Sequence, residues 1–420
     1  MNNSRVKSRH VMPTSGQPWS VLQEQLIELK HRDVDWQRGR AAVFVHYAGH
    51  EALDVAKKAY ALYFSENGLG KRAFPSLDKL ERDVVDMGLA LLQGGPKADG
   101  FMTTGGTESI FMAVKAARDL FRETHGPDGV AQIVLPVSAH PAFDKAAHFL
   151  GLKTIRTPLN DDFCADPKAM EKALTDNTAM IVGSAPAYPH GVIDPIEKIA
   201  SLASRHKIWM HVDACVGGYF APFVRMLGHN LPAFDFSVAG VSSISADLHK
   251  YGYAAKGAST LFFADKSLAT YAEYSFENWP RGTYHTQTLV GTRPGGAIAA
   301  AWAVMHHLGI EGYMRVAREI ILCRQALEHG LQSMGLSIWG KPMLSIMAWG
   351  SESLDIAQIG QGLSQRGWLV GYLNQPPGIH LMLNATHLDR VNEYLNDVQA
   401  SLQEAGSHPS SNKGSPGVVY

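Results

Sequence analysis

The stretch Ile208-Trp209-Met210-His211-Val212-Asp213-Ala214 runs apolar through most of its length before it meets a carboxylate. A strand with one face in water alternates apolar and polar residues. A strand that is apolar throughout has both faces covered, as in a parallel sheet between two layers of helices. QIVLPV (Gln132 to Val137) and AMIVGS (Ala179 to Ser184) have the same character. Helical patterns separate these runs, from Ser109 to Glu123, Phe143 to Leu150 and Pro195 to His206. The alternation predicts a three-layer α/β large domain with a mainly parallel sheet, spanning about residues 66–310.

Outward from this block the pattern changes. Trp19 to Gln37 reads as a polar helix. His50 to Phe64 reads as a second, with Ala52, Ala56, Tyr60 and Phe64 on one face, so residues 1–65 are expected to form an N-terminal helical segment. A third helix is expected with Ser76 as its N-cap. On the other side, a helix from Gly312 to Gly335 leads to LSIMAWG, a helix from Leu354 to Arg366, WLVGYL and IHLMLN. This predicts a small C-terminal α+β domain over residues 311–405. Residues 406–420, rich in Gly, Ser and Pro, are expected to be a flexible tail.

The 420 residues are 45% hydrophobic and 18% charged, enough apolar surface for a large core. A net charge of -1 speaks against a nucleic-acid partner and for a small molecule. Cys164, Cys215 and Cys323 form no paired metal spacing and fit a reducing compartment. No apolar stretch reaches the roughly 18–20 residues of a membrane helix or forms a signal-peptide core. The expectation is a cytoplasmic protein with no membrane span. His306 and His307 are adjacent and face different ways on a helix, so no metal is expected.

In parallel sheets, ligands gather beyond the carboxyl ends of the strands. Four places there carry polar residues suited to chemistry. Gly105, Gly106 and Thr107 precede a strong helix, where unpaired N–H groups attract phosphate, or where they serve as an ordinary turn and cap. Asp213 ends a buried strand, so it needs a partner such as a protonated ring nitrogen, or it caps a turn. His140 could stack on a flat cofactor and move protons, or pack as a structural histidine. Lys250 and Lys256 are surface charges unless buried, and burial would lower the pKa of Lys250 and free its amine for imine formation.

The motifs TTGGTESI at Thr103, SAHPAFDKA at Ser138, GSAPAYPHG at Gly183, HVDACVGG at His211, SISADLHKYGYAAKG at Ser243, GTRPGG at Gly291 and PPGIHLML at Pro376 occur in collinear order. Together they resemble the group II decarboxylase superfamily of pyridoxal 5'-phosphate (PLP) enzymes, which have the fold type I architecture. Within it the chain most resembles the sphingosine-1-phosphate lyases of the bacterial type. The resemblance implies that Lys250 carries PLP as a Schiff base, Asp213 pairs with the ring nitrogen and His140 stacks over the ring. It implies that Gly105, Gly106 and Thr107 hold the cofactor phosphate with His249. It also implies a homodimer with shared active sites, in which Thr292 reaches the partner's phosphate, and a role for Lys256 in the reaction.

For the activity, the resemblance implies retro-aldol cleavage of a phosphorylated amino alcohol to an aldehyde and phosphoethanolamine. Decarboxylation of an amino acid is the alternative, and binding PLP without turnover a third reading. The run Asp247-Leu248-His249-Lys250-Tyr251-Gly252, followed by Lys256, is lyase-like. Tyr47, Asn67, Tyr188, Arg281 and Tyr284 fall at positions expected to face the substrate. Asn67-Gly68-Leu69-Gly70 stands where the lyases have Asn-Pro-Leu-His, so a histidine is missing at Gly70. Lys71, Arg72 or Arg281 is expected to supply the anion site instead.

Overall fold

The computed structural model describes residues 9–70, 72–126 and 129–407. Lys71 and most of the expected tail lie outside them. The chain divides into two units at Asp35/Trp36. The first holds one helix, α1 (Trp19–Lys30), which buries none of its residues and ends seven positions before the expected Gln37.

Helices α2 (His50–Leu62) and α3 (Pro75–Leu91) precede the sheet. Ser76 is not the cap of α3. Pro75 takes the first helical position, where its missing N–H costs nothing, and Phe74 occupies the N-cap without a side-chain bond. The seven-stranded sheet is built from β1 (Asp99–Thr103), β2 (Gln132–Pro136), β3 (Lys153–Thr157), β4 (Thr178–Ser184), β5 (Trp209–Asp213), β6 (Ser243–Ala246) and β7 (Ser259–Phe263). Its order is β1-β7-β6-β5-β4-β2-β3, and only β7 runs against its neighbours. The carboxyl ends of β1, β2, β4, β5 and β6 therefore lie on one edge.

Successive residues of each strand enter different cores. Met102, Val134, Ile181, Met210, Val212, Ile244 and Phe262 belong to one cluster. Their chain neighbours Phe101, Ile133, Leu135, Val182, Trp209 and Phe263 belong to the other. Helices α4 (Gly106–His125) and α5 (Ala142–Leu150) cover the second face with Ala113, Ala117, Phe143 and Ala146. The first face is covered by α3, by α7 (Ile196–His206), which follows the short α6 (Pro167–Ala173), and by α8 (Ala221–Met226). This is the three-layer arrangement that the all-apolar runs predict, with helices on each face of the sheet.

After the short α9 (Lys266–Ala269), a two-stranded hairpin of β8 (Tyr274–Phe276) and β9 (Tyr284–Thr286) projects with exposed or half-buried side chains. The helix expected from Gly312 is the second half of α10 (Gly295–Ser333), a 39-residue element. It is interrupted at Gly309, whose backbone is non-helical (φ 55°, ψ -176°). A four-stranded antiparallel sheet follows, ordered β10 (Ser337–Ile338), β11 (Ile346–Gly350), β13 (Pro377–Met382), β12 (Gly371–Asn374). Helices α11 (Ile356–Gln365) and α12 (Val391–Ser407) complete this part. Among the described residues, no helix is long and apolar enough to cross a membrane.

Candidate active site

Strand β5 delivers Asp213 to the ligand edge, 8% exposed, with Oδ1 accepting from Cys215 N at 3.1 Å. Two residues back, His211 is fully buried between Ser243 Oγ (2.8 Å) and Ser245 Oγ (3.2 Å), a packed histidine that braces β5 against β6. The turn after β1 brings Gly105 and Gly106 to the start of α4. A Cβ on Gly106 would sit 2.7 Å from Asp247 Oδ2 and 2.8 Å from Cys215 Sγ, so only glycine fits. The first-turn N–H groups of α4 have no partner within the helix, and its dipole favours an anion there.

Asp247, in the turn after β6, is the buried charge at the centre. It is 2% exposed, and Ser259 Oγ donates to it at 2.6 Å. Lys250 Nζ lies 3.0 Å from Oδ2 and His249 Nε2 lies 3.7 Å away. Burial by itself would raise its pKa, but Lys250, His249 and the Ser259 bond hold it below 3.8. Lys250 responds in the opposite sense to the sequence expectation. Burial does push its pKa down, yet Asp247 foremost, with Cys215 and Asp213, lifts it above 10.5. The amine is an ammonium held by a carboxylate until the site is loaded.

His140 follows β2, and its Nδ1 accepts from Ala142 N at 3.1 Å. Burial lowers its pKa, against the opposing pull of Asp213. His249 is lowered in the same way, with Nδ1 donating to Ala258 O at 2.7 Å. Lys256 Nζ donates to His249 O (3.0 Å) and Phe44 O (3.4 Å). Desolvation and the Lys250 charge bring its pKa down to about 8.

Thr107, His140, Asp213, Asp247, His249 and Lys250 line one cavity of about 190 Å³, with Tyr188 at its mouth. The Tyr188 ring stands edge-on to His140 at 6.4 Å. His140 and Tyr188 also border a second cavity of about 640 Å³, lined by Val43, Phe44, Leu369, Val370 and Leu373 among others. Arg156 reaches that cavity with its guanidinium engaged by Asp144 and by the carbonyls of Pro136, Val137 and Ala139.

The remaining expected site residues lie elsewhere. Asn67 Nδ2 donates to Thr292 Oγ1 at 3.3 Å, and a Cβ on Gly291 would come within 3.1 Å of the Tyr284 hydroxyl. Arg281 is exposed in the turn of the β8–β9 hairpin, and Arg72 is exposed as well. Tyr47 is half-buried, bonded through its N–H to Asn384 Oδ1 at 3.1 Å, its ring edge-on to Trp36. The expected residues thus form a Lys250 group and an Asn67–Thr292–Tyr284 group. Sequence reasoning gave no part to Asp247, although it stands three residues before Lys250 on the same turn.

The Lys250 group suits PLP. Lys250, Asp213 and His140 line one cavity, which Gly106 and Thr107 at the start of α4 also border, so an amine, a carboxylate, an imidazole and a helix N-terminus meet in one place. These features define a PLP enzyme of fold type I. A family described as the pyridoxal-dependent decarboxylase conserved domain matches residues 43–336. The chain belongs to that family. It is similar to the sphingosine-1-phosphate lyase of Oryza sativa subsp. japonica, at 39% identity over 98% of this chain and 78% of the other. It is also similar to the solved sphingosine-1-phosphate lyase of Burkholderia pseudomallei, at 34% identity and TM-score 0.91, covering 96% of this chain and 94% of that one. The glutamate decarboxylase of Lactobacillus brevis shares the fold at 17% identity and TM-score 0.82, over 96% of both chains. The cofactor is PLP and the protein is a PLP-dependent lyase.

Proposed function

We propose that the protein cleaves a phosphorylated long-chain amino alcohol of the sphingosine-1-phosphate kind between Cα and Cβ, giving an aldehyde and phosphoethanolamine. The observation that carries the reading is the 640 Å³ cavity that joins the cofactor cavity at His140 and Tyr188. Its walls are mostly apolar, and its one guanidinium is fully engaged, so it suits a hydrocarbon chain and offers no free cation to an amino-acid carboxylate. The likeness to sphingosine-1-phosphate lyases supports the same substrate class.

Bound PLP supplies a protonated ring that draws electrons from a breaking bond to Cα. Asp213 would keep the ring nitrogen protonated, and His140, which lines the same cavity, would pack on the ring. Gly105, Gly106 and Thr107 hold the cofactor phosphate at the start of α4, aided by His249. Lys250 would hold the cofactor through its amine, which lies at Asp247 in the same cavity. Lys256, its pKa lowered to about 8, would serve as the base for the C3 hydroxyl proton. Tyr188 would face the substrate from the cavity wall and Tyr47 from beside it, while Asn67, Tyr284 and Arg281 would reach the substrate and its phosphate together with Thr292.

Asn67, Thr292 and Tyr284 are not among the residues that line the cavity of Lys250, which supports a homodimer in which each site takes Thr292 from the partner. The large part over residues 66–310 carries the cofactor, and the part over residues 311–405 closes the second cavity with β12. The test is direct. Holoenzyme given a phosphorylated sphingoid base should release a long-chain aldehyde and phosphoethanolamine in equal amounts, read by mass spectrometry. Release of carbon dioxide from aromatic amino acids or glutamate, without aldehyde from the phosphorylated base, would establish the decarboxylase instead.

A further inference from the structure

Two buried carboxylates join the same pair of segments. Glu108, at the third position of α4, is 6% exposed. A glutamate at that position ordinarily folds back onto its own helix start. Here Oε2 does so, accepting from Thr104 N at 2.6 Å and Thr104 Oγ1 at 2.5 Å. Oε1 instead leaves the helix and accepts from Leu289 N at 2.9 Å and Val290 N at 3.3 Å, some 181 residues away. Glu81 repeats the connection. Its Oε1 accepts from Met102 N at 3.0 Å on β1, and both its oxygens grip Arg293 at 2.5 and 2.8 Å. The β1 end and glycine turn of one cofactor site are thus fastened on both sides of Thr292.

We propose that Glu108 is a positioning residue that acts on two active sites at once, setting the phosphate turn of its own subunit through Oε2 and the Thr292 loop presented to the partner's cofactor through Oε1. The inference rests on the shared-site dimer proposed above. Its chemistry is specific to a carboxylate, because all four partners are donors. An amide has one acceptor oxygen, so Glu108→Gln turns its NH2 toward N–H groups on one side and must release either Thr104 or the Leu289–Val290 backbone. A residue that merely stabilised α4 would affect only the cofactor site of its own subunit.

Mixed dimers separate these outcomes. One subunit carries Lys250→Ala, which silences its own site, so the absorbance of lysine-bound PLP reads only the other, wild-type subunit. Adding Glu108→Gln to the silent subunit should raise the PLP dissociation constant of the live site about five- to tenfold, although the live subunit keeps its own Glu108. An unchanged constant, in dimers confirmed by light scattering, overturns the proposal. A parallel dimer with Thr292→Ala in the silent subunit distinguishes the causes. If Thr292→Ala weakens binding and Glu108→Gln does not, only the Glu108 role fails. If neither has an effect, the shared site fails and the Glu108 role with it. Should the Glu108→Gln subunit not assemble, Glu108→Asp keeps the charge but is one methylene too short to serve both segments, and it is read by the same constant.

Discussion

Lys250 and Lys256 lie six residues apart, yet their surroundings send their proton affinities in opposite directions. Asp247 at 3.0 Å makes Lys250 a held ammonium, while Lys256 faces that charge and backbone carbonyls without a carboxylate of its own. The pKa of Lys250 is raised above 10.5, so its contribution to stability is complete below pH 10.5 and is lost as the pH climbs through the folded value. Asp247→Asn should lower the stability of the cofactor-free protein by about 3 kcal/mol near neutral pH, the cost of breaking a buried pair. It should also flatten the decline above pH 10.5. Denaturant unfolding at a series of pH values measures both. Lys256 acts as a base only when neutral, and its neutral fraction rises as the pH passes through about 8. Turnover should therefore rise over that range and level off above it. Lys256→Met should remove this limb of the pH–rate profile and slow turnover by about 100-fold or more. A profile unchanged by the substitution would take Lys256 out of the proton transfer.

The elements were legible where burial leaves a simple pattern. Strands β2, β4 and β5 are apolar on both faces, and their runs in the sequence mark them to within a residue or two. Strand β1 (DGFMT) and strand β6 (SISA) are too polar to show in this way, because Thr103, Ser243 and Ser245 are buried through hydroxyl bonds to other parts of the site. The first half of α10 escaped for the opposite reason. Gly295 to Ala301 is buried throughout, so no polar face reveals the helical period. Among site residues, the cofactor group could be read because it sits on short, contiguous motifs. Glu81 and Glu108 could not, since their partners at Arg293 and Leu289–Val290 are brought near only by the fold; Asp247 stands three residues from Lys250, and what the sequence hides is its burial. The break in α10 has its own consequence. At Gly309 the backbone adopts φ 55° and ψ -176°, a region open essentially to glycine, and a Cβ there would meet nothing within 4 Å. Gly309→Ala should lower stability by about 1–3 kcal/mol through backbone strain alone, seen as a lower melting temperature. No loss would show that the helix straightens at little cost.

At the scale of the whole molecule, the proposed dimer makes the Lys250 group of one subunit and the Thr292 loop of its partner two halves of one site. Lys250→Ala and Thr292→Ala homodimers should each be severely impaired. Their hybrid has one site with Lys250 from one subunit and Thr292 from the other, both intact, and should recover about half the activity of the native dimer per hybrid molecule. Hybrids no better than the mean of their parents would place the Thr292 loop in its own subunit's site. Every one of these relations depends on where the cofactor is attached. Borohydride reduction of the PLP-loaded protein, followed by peptide mapping, tests that attachment most directly. The pyridoxyl group should be found on Lys250 alone and should vanish in Lys250→Ala; a label on Lys256 or on any other lysine would contradict the account.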